Sequence, residues 1–153
     1  MAENEWSIRV GTPEDWEIIA EFNQRLAMET EEKELPANVI GPGVQEVLGD
    51  RMKGVYYCSE ANGEVIGQLM ITLEWSDWRN GWFHWIQSVY VRKDWRAKGV
   101  FTSLYRHAEA IAREDPEVCG LRLYVERDNS RAQGAYARLG MTRTDYQMFE
   151  VEF

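Results

Sequence analysis

Apolar and polar positions alternate from Trp6 to Val10 (Trp, Ser, Ile, Arg, Val), the two-residue period of a half-buried strand. The period then lengthens. Thr12-Pro13-Glu14-Asp15 supplies a capping residue, a proline suited to the first helical position and acids that favour the positive end of a helix dipole. A helix is predicted from there to Met28, with Ile19, Phe22 and Leu26 on one face. Residues 29–43 turn acidic and then rich in Pro and Gly, and read as a loop. A short helix is expected over 44–52, followed by a strand over 54–60. Asn62-Gly63 is a strong hairpin signal, so 65–75 reads as the return strand.

A second turn over 76–81 again ends in Asn-Gly and leads to a strand over 82–91. Val100, Leu104, Ala108 and Ile111 recur at helical spacing within a helix expected over 99–113, and Pro116 lies just past its end. A strand over 121–125 follows. A helix over 130–139 is closed by Gly140, suited to a left-handed cap, and a closing strand is expected over 146–153. With no internal repeat and no linker, the order predicts one domain over residues 1–153. Its fold class is α/β, a mixed sheet with helices on both faces.

Composition narrows the function classes. The 153 residues include 17 Lys and Arg against 26 Asp and Glu, a net charge of −9. That field repels phosphate backbones, so nucleic acid is not an expected partner, and it favours a cationic one. No apolar run reaches the roughly 18–20 residues that span a bilayer, so no membrane partner is expected. The acidic start, Met-Ala-Glu-Asn-Glu-Trp, lacks an apolar leader region, and a cytoplasmic location is the expectation. Cys58 and Cys119 stand far apart, and His84 and His107 are the only histidines, so no metal site is expected.

The most informative stretch joins the strand ending at Val91 to the helix beginning at Gly99. It carries Arg92, Lys93, Arg96 and Lys98. A helix N-terminus offers unpaired N–H groups and a positive dipole end, and Gly99 lets a backbone approach an anion closely. The segment suits a pyrophosphate. Arg96-Ala97-Lys98-Gly99-Val100 resembles the R/Q-x-x-G-x-G/A signature of the GNAT acetyltransferases, with Phe101 where Gly or Ala is usual. Downstream, Asn129, Ala132, Tyr136, Gly140 and Met141 resemble the same family's N-x-x-A-x-x-x-Y-x-x-x-G-F pattern.

The resemblance implies a GNAT fold, a mixed sheet of about six to seven strands flanked by about four helices. It implies acetyl-CoA as cosubstrate, bound by Arg96, Ala97, Lys98, Gly99, Val100, Phe101 and Thr102, with Asn129 contacting CoA. Acetyl-CoA would lie where the strands holding Val89–Val91 and Leu121–Val125 part, with Val89 and Val91 offering backbone groups. Tyr136 corresponds to the general acid for the departing sulfur. A homodimer is a further family-level expectation.

Acetyl transfer needs a neutral amine, hence a route for its proton. Glu74, Asp77 and His84 are the candidate bases, Glu74 foremost, and Gln87 cannot take a proton directly. Glu74 and Asp77 could equally pair with Arg79. Trp75, Trp78, Trp82 and Trp85 would form an aromatic wall for an ammonium group or pack as structure, and the Glu29, Glu31, Glu32 and Glu34 run could recruit an amine or be merely solvated. A small cationic primary amine is the expected acceptor. A protein N-terminus, a lysine or an aminoglycoside is the alternative, and a non-catalytic acyl-CoA sensor or interaction module the reading of another class.

Overall fold

The computed structural model describes residues 5–153; the acidic start over residues 1–4 lies outside them. Two compact units divide the chain, the first ending at Leu123 and the second spanning Tyr124–Phe153.

In the first unit a five-stranded sheet runs in the order β1-β2-β3-β4-β5. β1 (Ser7–Val10), β2 (Val55–Ala61), β3 (Glu64–Ser76) and β4 (Gly81–Val91) pair antiparallel in sequence. β5 (Val118–Arg122) pairs parallel with β4. The Asn62-Gly63 turn forms as expected, both residues at positive φ (53° and 78°), the twist that joins adjacent strands.

Helices cover both faces. Tyr56 and Tyr57 point to opposite sides of β2. Tyr56 joins Ile19, Ala20, Val44 and Cys58 beneath α1 (Trp16–Glu31) and α2 (Ala37–Gly49). Tyr57 meets His107 of α3 (Val100–Glu114), ring centroids 5.1 Å apart. Ile19, Phe22, Ile66, Leu69 and Leu104 are fully buried, each worth about 1.5–3 kcal/mol over exposure. α3 lies close to the sheet because Gly67 has no side chain; a Cβ there would meet Val100 at 3.1 Å.

Three boundaries differ from the sequence pattern. α1 continues to Glu31 and stops at Glu32, which adopts the left-handed conformation (φ 52°) and donates to the Met28 carbonyl at 3.2 Å. Glu29 and Glu31 are therefore helical, not loop. α2 begins at Ala37 and carries Gly41, Pro42 and Gly43 inside it, where a loop is expected. Packing decides this against propensity: Gly41 sits under Trp16, and Val44 is buried beside α1. β5 starts at Val118 rather than Leu121, directly after a turn in which the Val118 N–H bonds the Asp115 carbonyl.

The second unit holds α4 (Ser130–Arg138). The expected closing strand does not form: residues 146–153 pair with no strand, and the sheet has five strands among the described residues rather than six to seven. No described helix is long and apolar enough to cross a membrane.

Candidate functional site

β4 is paired along one side by β3 but only in part by β5. The parallel ladder runs from Trp82↔Val118 to Trp85↔Arg122 and ends. Beyond Trp85, the stretch Ile86–Val91 has no strand partner on that side among the described residues. A bulge distorts β4 within this stretch. Gln68 faces Tyr90 and Met70 faces Gln87, so Ser88 and Val89 together oppose Leu69, and Ser88 takes φ 52°. A buried polar chain braces the bulge. The Gln68 side-chain amide donates to the Ser88 carbonyl at 3.1 Å and to Asn23 Oδ1 at 3.3 Å, and Asn23 donates to the Tyr56 hydroxyl at 3.2 Å. Gln68 and Asn23 carry no motif; only their polarity within apolar periods could have marked them.

This unpaired stretch of β4 leads into the N-terminus of α3. Ala97 (φ 61°) and Gly99 (φ 93°) both take the left-handed conformation, which turns the chain sharply before Val100. No side chain caps this end, and the first backbone bond runs from the Ser103 N–H to the Gly99 carbonyl at 3.0 Å. The first-turn N–H groups of the helix thus point outward. Ala97, Lys98 and Gly99 are exposed, and the space at Gly99 is open within 4 Å. Such a helix end can hold an anion. The Phe101 ring lies 6.4 Å from Tyr105, one turn further along, and so occupies the helix flank rather than its end.

Arg96 does not face that open space. Its Nε donates to the Val91 carbonyl at 2.8 Å, its other arm reaches Glu29 at 2.7 Å, and the guanidinium lies 5.3 Å over the Tyr90 ring. Glu29 also pairs with Lys93 at 3.3 Å and accepts from the Tyr90 hydroxyl at 3.4 Å. Burial opposes charge on Glu29, but Arg96 and Lys93 outweigh it and hold the carboxyl below its usual range. A groove of about 710 Å³ lies alongside, lined in part by Glu21, Arg25, Met28, Glu29, Tyr90 and Lys93. Lys98 packs 4.9 Å over Trp95.

The candidate bases separate. Glu74 does not pair with Arg79: Oε1 accepts from Arg122 at 2.5 Å and Oε2 from the Trp85 indole at 3.2 Å. Arg122 crosses the Phe83 ring at 3.7 Å to reach it, so one ion pair links β5 to β3 over β4 at the last rung of the parallel ladder. On the same face Gln87 donates to the Thr72 hydroxyl at 2.6 Å. His84 points to the opposite face of β4, where burial lowers its basicity against the opposing field of Asp115. Asp77 is exposed in the β3–β4 turn and accepts from the Trp78 N–H at 3.0 Å. The tryptophans form no single wall. Trp75 and Trp82 meet edge to face at 4.9 Å on the His84 side, Trp85 bonds Glu74 on the other, and Trp78 is exposed at the turn.

In the second unit, Asn129 caps α4 by accepting from the Ala132 N–H at 3.1 Å. Gly140 takes φ 97°, the left-handed stop expected of it. Burial raises the Tyr136 phenol above its ordinary value, which keeps it protonated at neutral pH.

Residues 16–141 match the Acetyltransferase (GNAT) family. A possible acetyltransferase from Clostridium difficile 630 is 45% identical, with a TM-score of 0.92 over 98% of this chain and 99% of that one. A predicted acetyltransferase with acetyl-CoA from Clostridium acetobutylicum is 17% identical, with a TM-score of 0.76 over 96% of each chain. The ribosomal-protein-alanine N-acetyltransferase from Brucella melitensis biovar Abortus 2308 is also 17% identical, with a TM-score of 0.77 over 97% of this chain and 99% of that one; these last two share the fold. No curated protein matches the sequence significantly.

Proposed function

The chain belongs to the Acetyltransferase (GNAT) family, and on that premise we propose that it is an N-acetyltransferase moving the acetyl group of acetyl-CoA to a primary amine, a small cationic one. The observation that carries this reading is the course of β4. Its edge is released by β5 at Trp85↔Arg122 and leads directly to the uncapped, Gly99-initiated end of α3. Unpaired strand groups can hold an extended amide-containing arm such as pantetheine, and the helix end suits its pyrophosphate. Residues Arg96–Thr102 form that cradle, with Arg96 fixing its shape through Val91 and Glu29. Val89 and Val91 supply backbone groups, and Asn129 contacts CoA. The family match runs across both units, which supports reading residues 1–153 as one functional domain.

The amine nitrogen attacks the thioester carbonyl directly in a ternary complex. The N–C bond forms, the C–S bond breaks, and the amine proton leaves to Glu74 through water. Tyr136 protonates the departing thiolate, a transfer that burial of the phenol favours by keeping it protonated until sulfur leaves. No acetyl-enzyme is needed. Burial pushes the Cys58 thiol up to about 12, so it is not a nucleophile near neutral pH. The net charge of −9 and the exposed Glu31, Glu32 and Glu34 favour a cationic acceptor. A cytoplasmic location is part of the same reading.

Thermal unfolding with acetyl-CoA, with CoA and with neither tests the cosubstrate. Ligand at about 100 times its Kd adds about 2.7 kcal/mol to stability, and release of free CoA thiol across a panel of amines then identifies the acceptor. No shift at millimolar acetyl-CoA overturns the cradle. A shift without turnover on any amine leaves an acyl-CoA sensor instead.

A further inference from the structure

Three unfavourable features meet at one peptide of β4. Ser88 holds the left-handed conformation, φ 52°, which strains a residue with a Cβ. Gln68 and Asn23 are polar, yet only 0% and 5% exposed. The Gln68 Nε2 donates to the Ser88 carbonyl and to Asn23 Oδ1, while its equally buried Oε1 has no hydrogen-bond partner among the described residues. Each feature destabilises the fold. Apolar side chains of similar shape would fill the same layer without the orphaned oxygen. Strain and burial held against stability in this way point to a working geometry.

What they fix is the direction of one N–H group. The described chain has no cis peptide bond. With the Ser88 carbonyl turned to Gln68, the N–H of Val89, across the same planar peptide, points the opposite way. We propose that Gln68 and Asn23 are positioning residues for acetyl transfer, aiming the Val89 N–H at the thioester oxygen of bound acetyl-CoA. This role rests on the acetyltransferase reading above and adds the side chains that hold its geometry.

Asn23 decides which way the Gln68 amide faces. Its Nδ2 donates to the Tyr56 phenol oxygen at 3.2 Å, so its Oδ1 is left to accept from Gln68. A Gln68 amide turned over would set Oε1 against two acceptors, Asn23 Oδ1 and the Ser88 carbonyl. The chain Tyr56–Asn23–Gln68–Ser88 thus runs from β2 through α1 and β3 to β4 and admits one arrangement. As the amine attacks, the thioester oxygen gains negative charge. A donor aimed there beforehand stabilises that charge without reorganising. Its loss therefore falls on kcat more than on binding.

Gln68→Met keeps the length of the side chain and removes the donor. It should lower kcat about tenfold or more, a misaimed donor mattering less than a deleted one, with the acetyl-CoA Kd little changed. Tyr56→Phe is the milder variant: it removes one hydroxyl, lets both amides turn over and should lower kcat by a smaller factor. Ile19→Val thins the same buried layer without touching the chain; it should melt lower than wild type and keep its kcat. The infrared carbonyl stretch of acetyl-CoA carrying carbon-13 at the thioester should fall on binding to the wild type and to Ile19→Val. In Gln68→Met it should return toward the free value. Wild-type kcat and carbonyl stretch in both Gln68→Met and Tyr56→Phe overturn the proposal and leave the chain a packing element. So does a kcat loss in Gln68→Met with the stretch unmoved, or an equal loss in Ile19→Val. A wild type that binds no acetyl-CoA, or acetylates no amine, overturns the acetyltransferase reading itself and this role with it.

Discussion

Glu29, in the last turn of α1, accepts a 2.7 Å hydrogen bond from Arg96, in the turn that opens α3. Sixty-seven positions of sequence separate the two, and their contact ties the helix-covered face of the sheet to the proposed cradle. Arg96 also holds the Val91 carbonyl, so loosening Glu29 should loosen both the end of β4 and the turn. A partly exposed pair is worth about 1 kcal/mol or less, so Glu29→Gln should raise the acetyl-CoA KM by about fivefold at most, with the melting temperature falling only a few degrees. The Glu29 carboxyl is depressed in the folded state. Its contribution is therefore present above the ordinary carboxylate range and lost as pH falls from that range through its lower folded pKa. An unchanged KM in the variant would leave Glu29 a purely structural residue.

Tyr136 and Glu74 are expected to act on opposite protons of one transfer, and conservative variants separate their roles from binding. Tyr136→Phe removes only the phenolic proton and should lower kcat about a hundredfold or more, while the stabilisation by acetyl-CoA persists. Glu74→Gln retains an acceptor for Arg122 or Trp85 and should also lower kcat, with little effect on acetyl-CoA affinity. Full turnover in Glu74→Gln would move the base to His84 or to a water chain.

Much of this architecture was legible in the chain. The Asn62-Gly63 turn, the strands on either side of it and the strand-to-helix passage from Val91 to Gly99 follow from local chemistry, and local chemistry decides them. α2 was not legible, because Gly41, Pro42 and Gly43 lower helix propensity locally and only contact with α1 overrides them. The β4 bulge was hidden for the same reason: Ser88 reads as an ordinary strand residue until Gln68 and Asn23 arrive from elsewhere in the sequence. Nearness in sequence offers Arg79 as one possible partner of Glu74, whereas the parallel return of β5 brings Arg122 from 48 positions away. The closing strand expected over 146–153 does not form, because alternation makes a strand only where an edge pairs with it, and no described strand pairs with this segment.

His84 supplies a pH test of the fold. Burial depresses its pKa in the folded state, with Asp115 opposing. The unfolded chain binds the proton more readily, so this contribution is present above the unfolded value near 6.5 and is lost as pH falls below it. The wild-type melting temperature should therefore drop between pH 7 and pH 5.5 more steeply than that of His84→Gln. Parallel slopes in the two proteins would mean that another group carries the dependence.

The proposed cradle rests on backbone geometry at Gly99, and a pair of substitutions isolates it. Gly99 and Gly63 both have positive φ, 93° and 78°, and a Cβ at either meets nothing within 4 Å. Valine at each position should thus cost about the same, roughly 1–2 kcal/mol for a left-handed residue with a Cβ, without steric clash. Only at Gly99 does relaxation of that strain rotate the N–H groups at the start of α3. Both variants should melt several degrees below wild type, but Gly63→Val, in the β2–β3 hairpin, should keep its full stabilisation by acetyl-CoA and Gly99→Val should lose most of it. Equal stabilisation of the two by acetyl-CoA would remove the helix end from the binding site, whatever the fate of the fold.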